Sequence, residues 1–258
     1  MERKNNGVKY NCTQLTPQQT FERHIYHRDQ FAHYLRWTHV LKNAKIGQSI
    51  LDFGCGSAEM LEVFYRNRYR PKRYLGLEIR DKQVQINKEK FGNLDFAEFK
   101  QIDLCQPELD LGETFDIITC FEVMEHIGHE NADIFLDNIA FHCNDDTVVF
   151  LSTPNYDPGV GAADNHMLMK DDGTKEIGEW DHFELQEKLL EFFTIEHKYG
   201  TFASMKDYKQ DLTEEWQKKM FNKLREYYDT NLIANIMAPL IPAEHARNCL
   251  WVLKVRDE

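Results

Sequence analysis

The chain has 258 residues, 42% hydrophobic and 12% aromatic, which suits one medium domain with an elaboration and excludes a disordered polymer. Charged residues make up 29% and the net charge is −12 at pH 7, so a polyanion finds no overall attraction. No apolar run approaches the roughly 18 residues of a membrane-spanning helix, and residues 1–10 are too polar for a secretory leader, so the expectation is a cytoplasmic protein without membrane contact.

The charge is unevenly spread. Residues 1–45 hold eight Lys and Arg against three Asp and Glu, and a second basic run occupies 66–73. Both offer a route to nucleic acid, although a solvated helix end before Pro71 is the simpler reading of the second. Cys12, Cys55, Cys105, Cys120, Cys143 and Cys249 form no CxxC pair and mostly sit in apolar runs, which reads as buried free thiols.

In chain order, residues 1–45 read as an N-terminal helical segment, a lid or substrate contact, and 46–258 as the main domain. Phe31, Tyr34, Leu35, Val40 and Leu41 recur at helical spacing, with Ala32 and Trp37 nearby, predicting an amphipathic helix over 28–44. His24, His27, His33 and His39 share no tight face and read as surface or lid residues. A strand over 49–53 leads through a glycine turn into a helix carrying Met60, Leu61, Val63 and Phe64, closed by Pro71. A strand over 74–78 precedes a helix that Asp81 can cap and that runs to Phe91. Strands follow at 96–102 and 115–120. A helix capped by Asn131 carries Ile134, Phe135, Ile139 and Phe141, before a strand over 147–151. Short apolar runs alternating with helical patterns imply an α/β fold with a parallel sheet.

A long Gly/Asp/Asn-rich loop spans 154–178, a length that is usually functional. A helix at 181–193 and a strand at 194–199 come next. A helix is expected over 211–237, inside an insertion at about 200–247, and its Asp211, Glu214 and Glu215 suit a helix N-terminus. Met205, Tyr208, Trp216, Met220, Phe221, Leu224, Tyr227 and Tyr228 read as core packing for that insertion. The last strand covers 249–255.

The chemistry concentrates after the first strand, in Asp52-Phe53-Gly54-Cys55-Gly56-Ser57-Ala58. Glycines between a strand and a helix let the backbone turn tightly and approach a ligand. A dinucleotide loop would carry a third glycine at residue 59, which is Glu59. That departure disfavours a nicotinamide-dependent oxidoreductase. Glu78 ends the second strand, where an acid can accept hydrogen bonds from ribose hydroxyls, and Asp103 follows the third. Three acids at three successive strand ends lie on the edge where open α/β sheets bind ligands.

These motifs, with the run from Phe115 to His126, resemble class I, Rossmann-like S-adenosylmethionine-dependent methyltransferases over residues 45–155. Ala58 departs from the pattern, because many members have a third glycine there. The resemblance implies a seven-stranded, mostly parallel sheet with an antiparallel last strand and helices on both faces. It implies S-adenosyl-L-methionine as cofactor. Asp52, Gly54, Cys55 and Gly56 would form the loop at its amino-acid end. Glu78 and Ile79 would lie at the ribose, Asp103 and Leu104 at the adenine, and Phe121 and Glu122 beside the methylsulfonium.

Glu122, Glu125 and His126 share a face if helical. The pattern resembles small-RNA 3′-end 2′-O-methyltransferases and quinone-type O-methyltransferases, and implies a divalent-metal set of Glu122, Glu125, His126 and His182. It also occurs in the superfamily without metal, and the metal-free reading is preferred. Ser152-Thr153-Pro154-Asn155 resembles the corresponding motif of members acting on small molecules or sugars. His126, His166 and His182 are the candidate bases, since histidine titrates near neutrality. The expected activity is methyl transfer to an oxygen or nitrogen of a small-molecule, sugar or nucleotide-type acceptor. The alternatives are a metal-assisted 2′-O-methyltransferase of RNA 3′ ends and a catalytically silent cofactor-binding partner subunit.

Overall fold

The computed structural model describes residues 28–170, 172–203 and 208–256. Cys12, His24, His27 and Met205 lie outside them. Strands β1 (Ser49–Phe53), β2 (Arg73–Glu78), β3 (Ala97–Gln101), β4 (Phe115–Phe121), β5 (Cys143–Pro154), β8 (Phe193–Ala203) and β9 (Ala246–Val255) form one sheet in the order β3-β2-β1-β4-β5-β9-β8. Only β9 runs antiparallel, hydrogen-bonded between β5 and β8. The expected seven-stranded sheet with an antiparallel last strand is therefore present. No helix among the described residues is long and apolar enough to cross a membrane.

Alternation along each strand sends side chains to two cores. On one face, Leu51 and Phe53 of β1 pack with Phe135, Leu136 and Ile139 of α4 (Ala132–Phe141) and with Leu185 and Leu189 of α5 (His182–Phe192). On the other, Ile50 packs with Trp37 and Val40 of α1 (Arg28–Asn43), with Leu61 and Phe64 of α2 (Glu59–Arg66), and with Val84 of α3 (Asp81–Phe91). Each such fully buried side chain contributes about 1.5–3 kcal/mol. A third, smaller core joins Ala32 of α1 to Phe202 of β8, Phe221 of α6 (Glu215–Leu224) and Ile233 and Met237 of α7 (Thr230–Met237).

Several local expectations are corrected. The buried stripe of α1 is Ala32, Arg36, Trp37 and Val40, and Tyr34 is exposed. Asp81 is the first helical residue of α3 and not its cap, which is Arg80. Asn131 does occupy the N-cap of α4, but its side chain donates to the Ile127 carbonyl instead of capping. The single helix expected over 211–237 is two. Asp229 in extended conformation stops continuation, and its carboxylate caps α7 by accepting from the Asn231 N–H at 2.7 Å. Trp216, Tyr227 and Tyr228 are exposed, so that aromatic stripe is only partly core. The long loop contains a hairpin, β6 (Met167–Met169) with β7 (Lys175–Ile177). The five described cysteines are free, as expected.

Candidate active site

The edge formed by the ends of β1, β2 and β4 and the turn after β3 carries the candidate groups. After β1, Gly54 turns at φ +91°, and the N–H groups of Gly54 and Cys55 donate to the Leu77 carbonyl at 3.1 and 2.8 Å. A Cβ on Gly54 would stand 2.5 Å from a Val123 methyl, so glycine is demanded twice, by dihedral and by space. Buried Asn87 of α3 donates to the Gly56 carbonyl at 2.7 Å and braces the loop from outside. Ala58 takes a left-handed conformation (φ 52°), which explains why glycine suits that position; smallness alone is not the requirement.

Asp52 is turned inward. Its carboxylate accepts from the Tyr74 hydroxyl at 2.5 Å and the Thr119 hydroxyl at 2.9 Å, tying β1 to β2 and β4. Burial raises its pKa to about 6 despite those two bonds. Burial also pushes the Cys55 thiol well up, so it is no nucleophile.

Glu78, at the end of β2, accepts from the Arg80 backbone N–H at 3.0 Å and from its guanidinium at 2.8 and 3.2 Å. Burial works to raise this carboxyl, but the Arg80 bonds prevail and hold it below the ordinary range. Ile79 is exposed beside it. Asp103 stands after β3, exposed, accepting from the Cys105 N–H at 2.9 Å, with Leu104 buried behind.

Beyond Phe121 the chain leaves β4 at Glu122, which sits at φ +58°. This carboxylate is a hub. Oε1 accepts from Arg36 of α1 at 3.1 Å and from the Ser152 hydroxyl at 3.0 Å, and Oε2 accepts from Asn248 of β9 at 2.9 Å. Glu125 and His126 follow in a short 3₁₀ turn, Met124–His126. Glu125 is buried and accepts from the Thr153 hydroxyl at 3.2 Å. Adjacent residues of the Ser152-Thr153 motif thus hold Glu122 and Glu125.

His166 comes to the same place from the long loop. Its Nε2 lies 3.8 Å from Glu125 Oε1, and the His126 and His166 rings meet edge to face at 5.1 Å. Ligand atoms of Glu125, His126 and His166 lie within 4.8 Å of one another. The metal set that the resemblance implied as the alternative, Glu122, Glu125, His126 and His182, is not brought together. Glu122 is engaged by Arg36, Ser152 and Asn248. His182 is buried, near Asn155 Oδ1 at 3.2 Å and Lys198 Nζ at 3.1 Å, and stacks on Trp251 at 4.7 Å. Burial first, and Lys198 second, lower its pKa to about 4. Among the three candidate bases, His126 and His166 are brought together and His182 is set apart as a packing residue.

Sequence reasoning missed Arg36, Asn87, Glu179 and Arg247. Each acts through a partner at least 30 residues away or across the sheet, so no local pattern announces it, except that Glu179 directly follows the flagged loop and stands two residues before the α5 cap Asp181. In the basic run 66–73, Arg66 pairs with Glu62, Arg70 with Asp95, and Arg73 with Glu98 and Glu113.

Residues 26–205, more than half of the chain, match the family model of a methyltransferase domain. A sphingolipid C9-methyltransferase of Komagataella phaffii is 30% identical over 42% of this chain and 23% of its own length. A ubiquinone biosynthesis O-methyltransferase of Acinetobacter baumannii is 26% identical over 36% of this chain and 39% of its own length. The matched segments thus span less than half of either relative. Among solved structures, an S-adenosylmethionine-dependent methyltransferase from Clostridium acetobutylicum shares the fold at TM-score 0.57 and 11% identity, over 92% of this chain and 96% of that one. The N-methyltransferase NodS from Bradyrhizobium japonicum, in complex with S-adenosyl-L-homocysteine, aligns at TM-score 0.54 and 11% identity, over 88% of each chain. Motifs, sheet order and family match agree, and the chain belongs to the methyltransferase-domain family.

Proposed function

We propose that this enzyme methylates an oxygen or nitrogen of a small-molecule, sugar or nucleotide-type acceptor, with His166 taking the acceptor's proton. The observation that carries this reading is the His166 ring beside Glu125 and His126, past the end of β4, with its other nitrogen anchored 2.6 Å from Glu179.

The loop residues fit the cofactor. At Gly56 an added Cβ would meet nothing within 4 Å, leaving room for a ligand to approach the backbone. Gly54, Cys55 and Gly56 would hold its amino-acid end, Glu78 and Ile79 its ribose, Asp103 and Leu104 its adenine, with Phe121 and Glu122 beside the sulfur. Asp52 would act behind the loop as a brace. When bound, S-adenosylmethionine would supply a sulfonium methyl whose carbon the acceptor lone pair attacks, the new bond forming as the carbon–sulfur bond breaks and the sulfur keeps its pair. His166 Nε2 receives the proton that the acceptor atom releases, and Glu125 and His126 bound the space in which that atom is aligned. The ion pairing of the 66–73 run favours a small acceptor over nucleic acid.

The test is His166→Gln in a methyl-transfer assay over an acceptor panel, beside calorimetry with S-adenosylhomocysteine. The expected result is a kcat lowered about 10²-fold or more with unchanged S-adenosylhomocysteine affinity. Undiminished turnover removes His166 as the base, and absent binding removes the loop assignment. The three clustered side chains favour one second reading, a divalent metal bound by Glu125, His126 and His166. Turnover lost to a chelator and restored by zinc or magnesium would select it.

A further inference from the structure

His166 is carried on an excursion between β5 and α5, where nothing of the sheet holds it directly. What fixes it is one carboxylate. Glu179 Oε1 lies 2.6 Å from His166 Nδ1 and accepts the Ala163 backbone N–H at 3.1 Å, so a single group grips the ring and the chain three residues before it. Glu179 is itself fully buried and forked by Arg247 of β9, whose NH1 and NH2 donate at 2.7 and 2.6 Å. Arg247 also donates to the Asn155 carbonyl at the end of β5. The two guanidinium donors of Arg247 and the Ala163 N–H hold Glu179 as a carboxylate. An ionised carboxylate has no hydrogen to donate, so Nδ1 must carry the proton of the pair. In the neutral ring Nε2 is then the acceptor, and Nε2 is the nitrogen facing Glu125.

We propose that Glu179 is the positioning residue of His166, fixing its Nδ1–H tautomer and ring direction, and that Arg247 is the buried counter-charge that lets a carboxylate stand there. The proposal rests on His166 serving at Nε2, but the pairing itself is readable without turnover. Arg247 comes from the strand inserted between β5 and β8, so the orientation of a loop histidine is set by the sheet.

The experiment compares wild type with Glu179→Gln and with the double variant Glu179→Leu/Arg247→Met. The double variant removes both charges together and leaves no unpaired buried ion, so it is the one expected to fold. Folding is checked by circular dichroism, and the ring is read by nitrogen-15 NMR of histidine-labelled protein, with His166 assigned through His166→Gln. Expected in the double variant are native circular dichroism, loss of the protonated-Nδ1 signature, and kcat lowered about 30-fold or more with the acceptor KM within about twofold, on the scale of carboxylates that orient a functional histidine. Glu179→Gln is expected to show the same split. An unchanged His166 nitrogen signature in the folded double variant, or an unchanged kcat while His166→Gln is inactive, overturns the inference. Loss of the signature with full turnover in every variant, His166→Gln included, upholds the pairing and removes the base reading instead.

Discussion

Glu122 shows what a single side chain accomplishes here. In a left-handed conformation that costs a non-glycine residue about 1–2 kcal/mol, it accepts from α1, β5 and β9 at once. Such strain persists where surrounding contacts over-determine it, and it clusters at functional sites. Gly178 solves a different local problem. A Cβ there would stand 2.1 Å from the Glu125 carbonyl oxygen, and its N–H donates to the His166 carbonyl at 2.8 Å. Gly178→Ala is therefore expected to push the hairpin from the Met124–His126 turn, cost about 1–3 kcal/mol, and abolish transfer while sparing S-adenosylhomocysteine binding. A thermal melt within a degree of wild type would contradict this. At His182 the consequence is a pH dependence. Its native pKa of about 4 lies below the 6.5 of the unfolded chain. As pH falls through 6.5 the unfolded state gains a proton that the native state refuses until near 4, so stability is lost on acidification. Between pH 7 and 4.5 this one residue should contribute a loss of about 2–3 kcal/mol. His182→Gln should lower stability at pH 7 through lost packing, yet flatten that slope. Urea unfolding at the two pH values measures it, and parallel losses in both proteins would refute it.

At the level of elements, legibility followed locality. β1, β2, α3 and α5 stand close to where their apolar periods put them, because that signal is written within each segment. The 211–237 helix broke at Asp229, since periodicity runs through a cap that also satisfies an internal polar position. Within the site, Asp52, Gly54, Gly56, Glu78 and Asp103 were legible as strand-end residues. His166 was legible only as one histidine among three, because what separates it from His182 is a tertiary partner, Glu179 for one and Trp251 for the other. Arg36 was hidden for the same reason. A buried arginine in an apolar stripe makes sense only against Glu122. The small core of α6, α7 and α1 is distinct from the two that line the sheet. Elements with less buried apolar contact open at lower free energy. Amides of 215–237 are therefore expected to exchange by sub-global opening, well before those of β1, β4 and β5. Hydrogen-exchange mass spectrometry reads this directly, and equal protection would show the insertion to be part of the global unit.

For the molecule as a whole, the sheet divides labour. The β3-β2-β1-β4 half carries the acids and the glycine loop, and the β5-β9-β8 half supplies Ser152, Thr153 and Asn248 to Glu122 and Glu125 beyond β4, and Arg247 to Glu179. On the proposed reading, donor recognition is built from residues close in sequence, and proton handling from residues far apart. That arrangement carries a timing constraint. β9 fills the gap between β5 and β8, yet it comes after both in the chain. During synthesis β5 must wait with an unpaired edge until some 90 later residues have left the ribosome, at about 5–20 residues per second a delay of several seconds. Until then Glu179 also lacks Arg247. The nascent chain can form β1 to β4 early, but it passes through an interval in which Glu122 lacks Asn248, Glu179 lacks Arg247 and a strand edge lies exposed, the stage at which a chaperone would engage it.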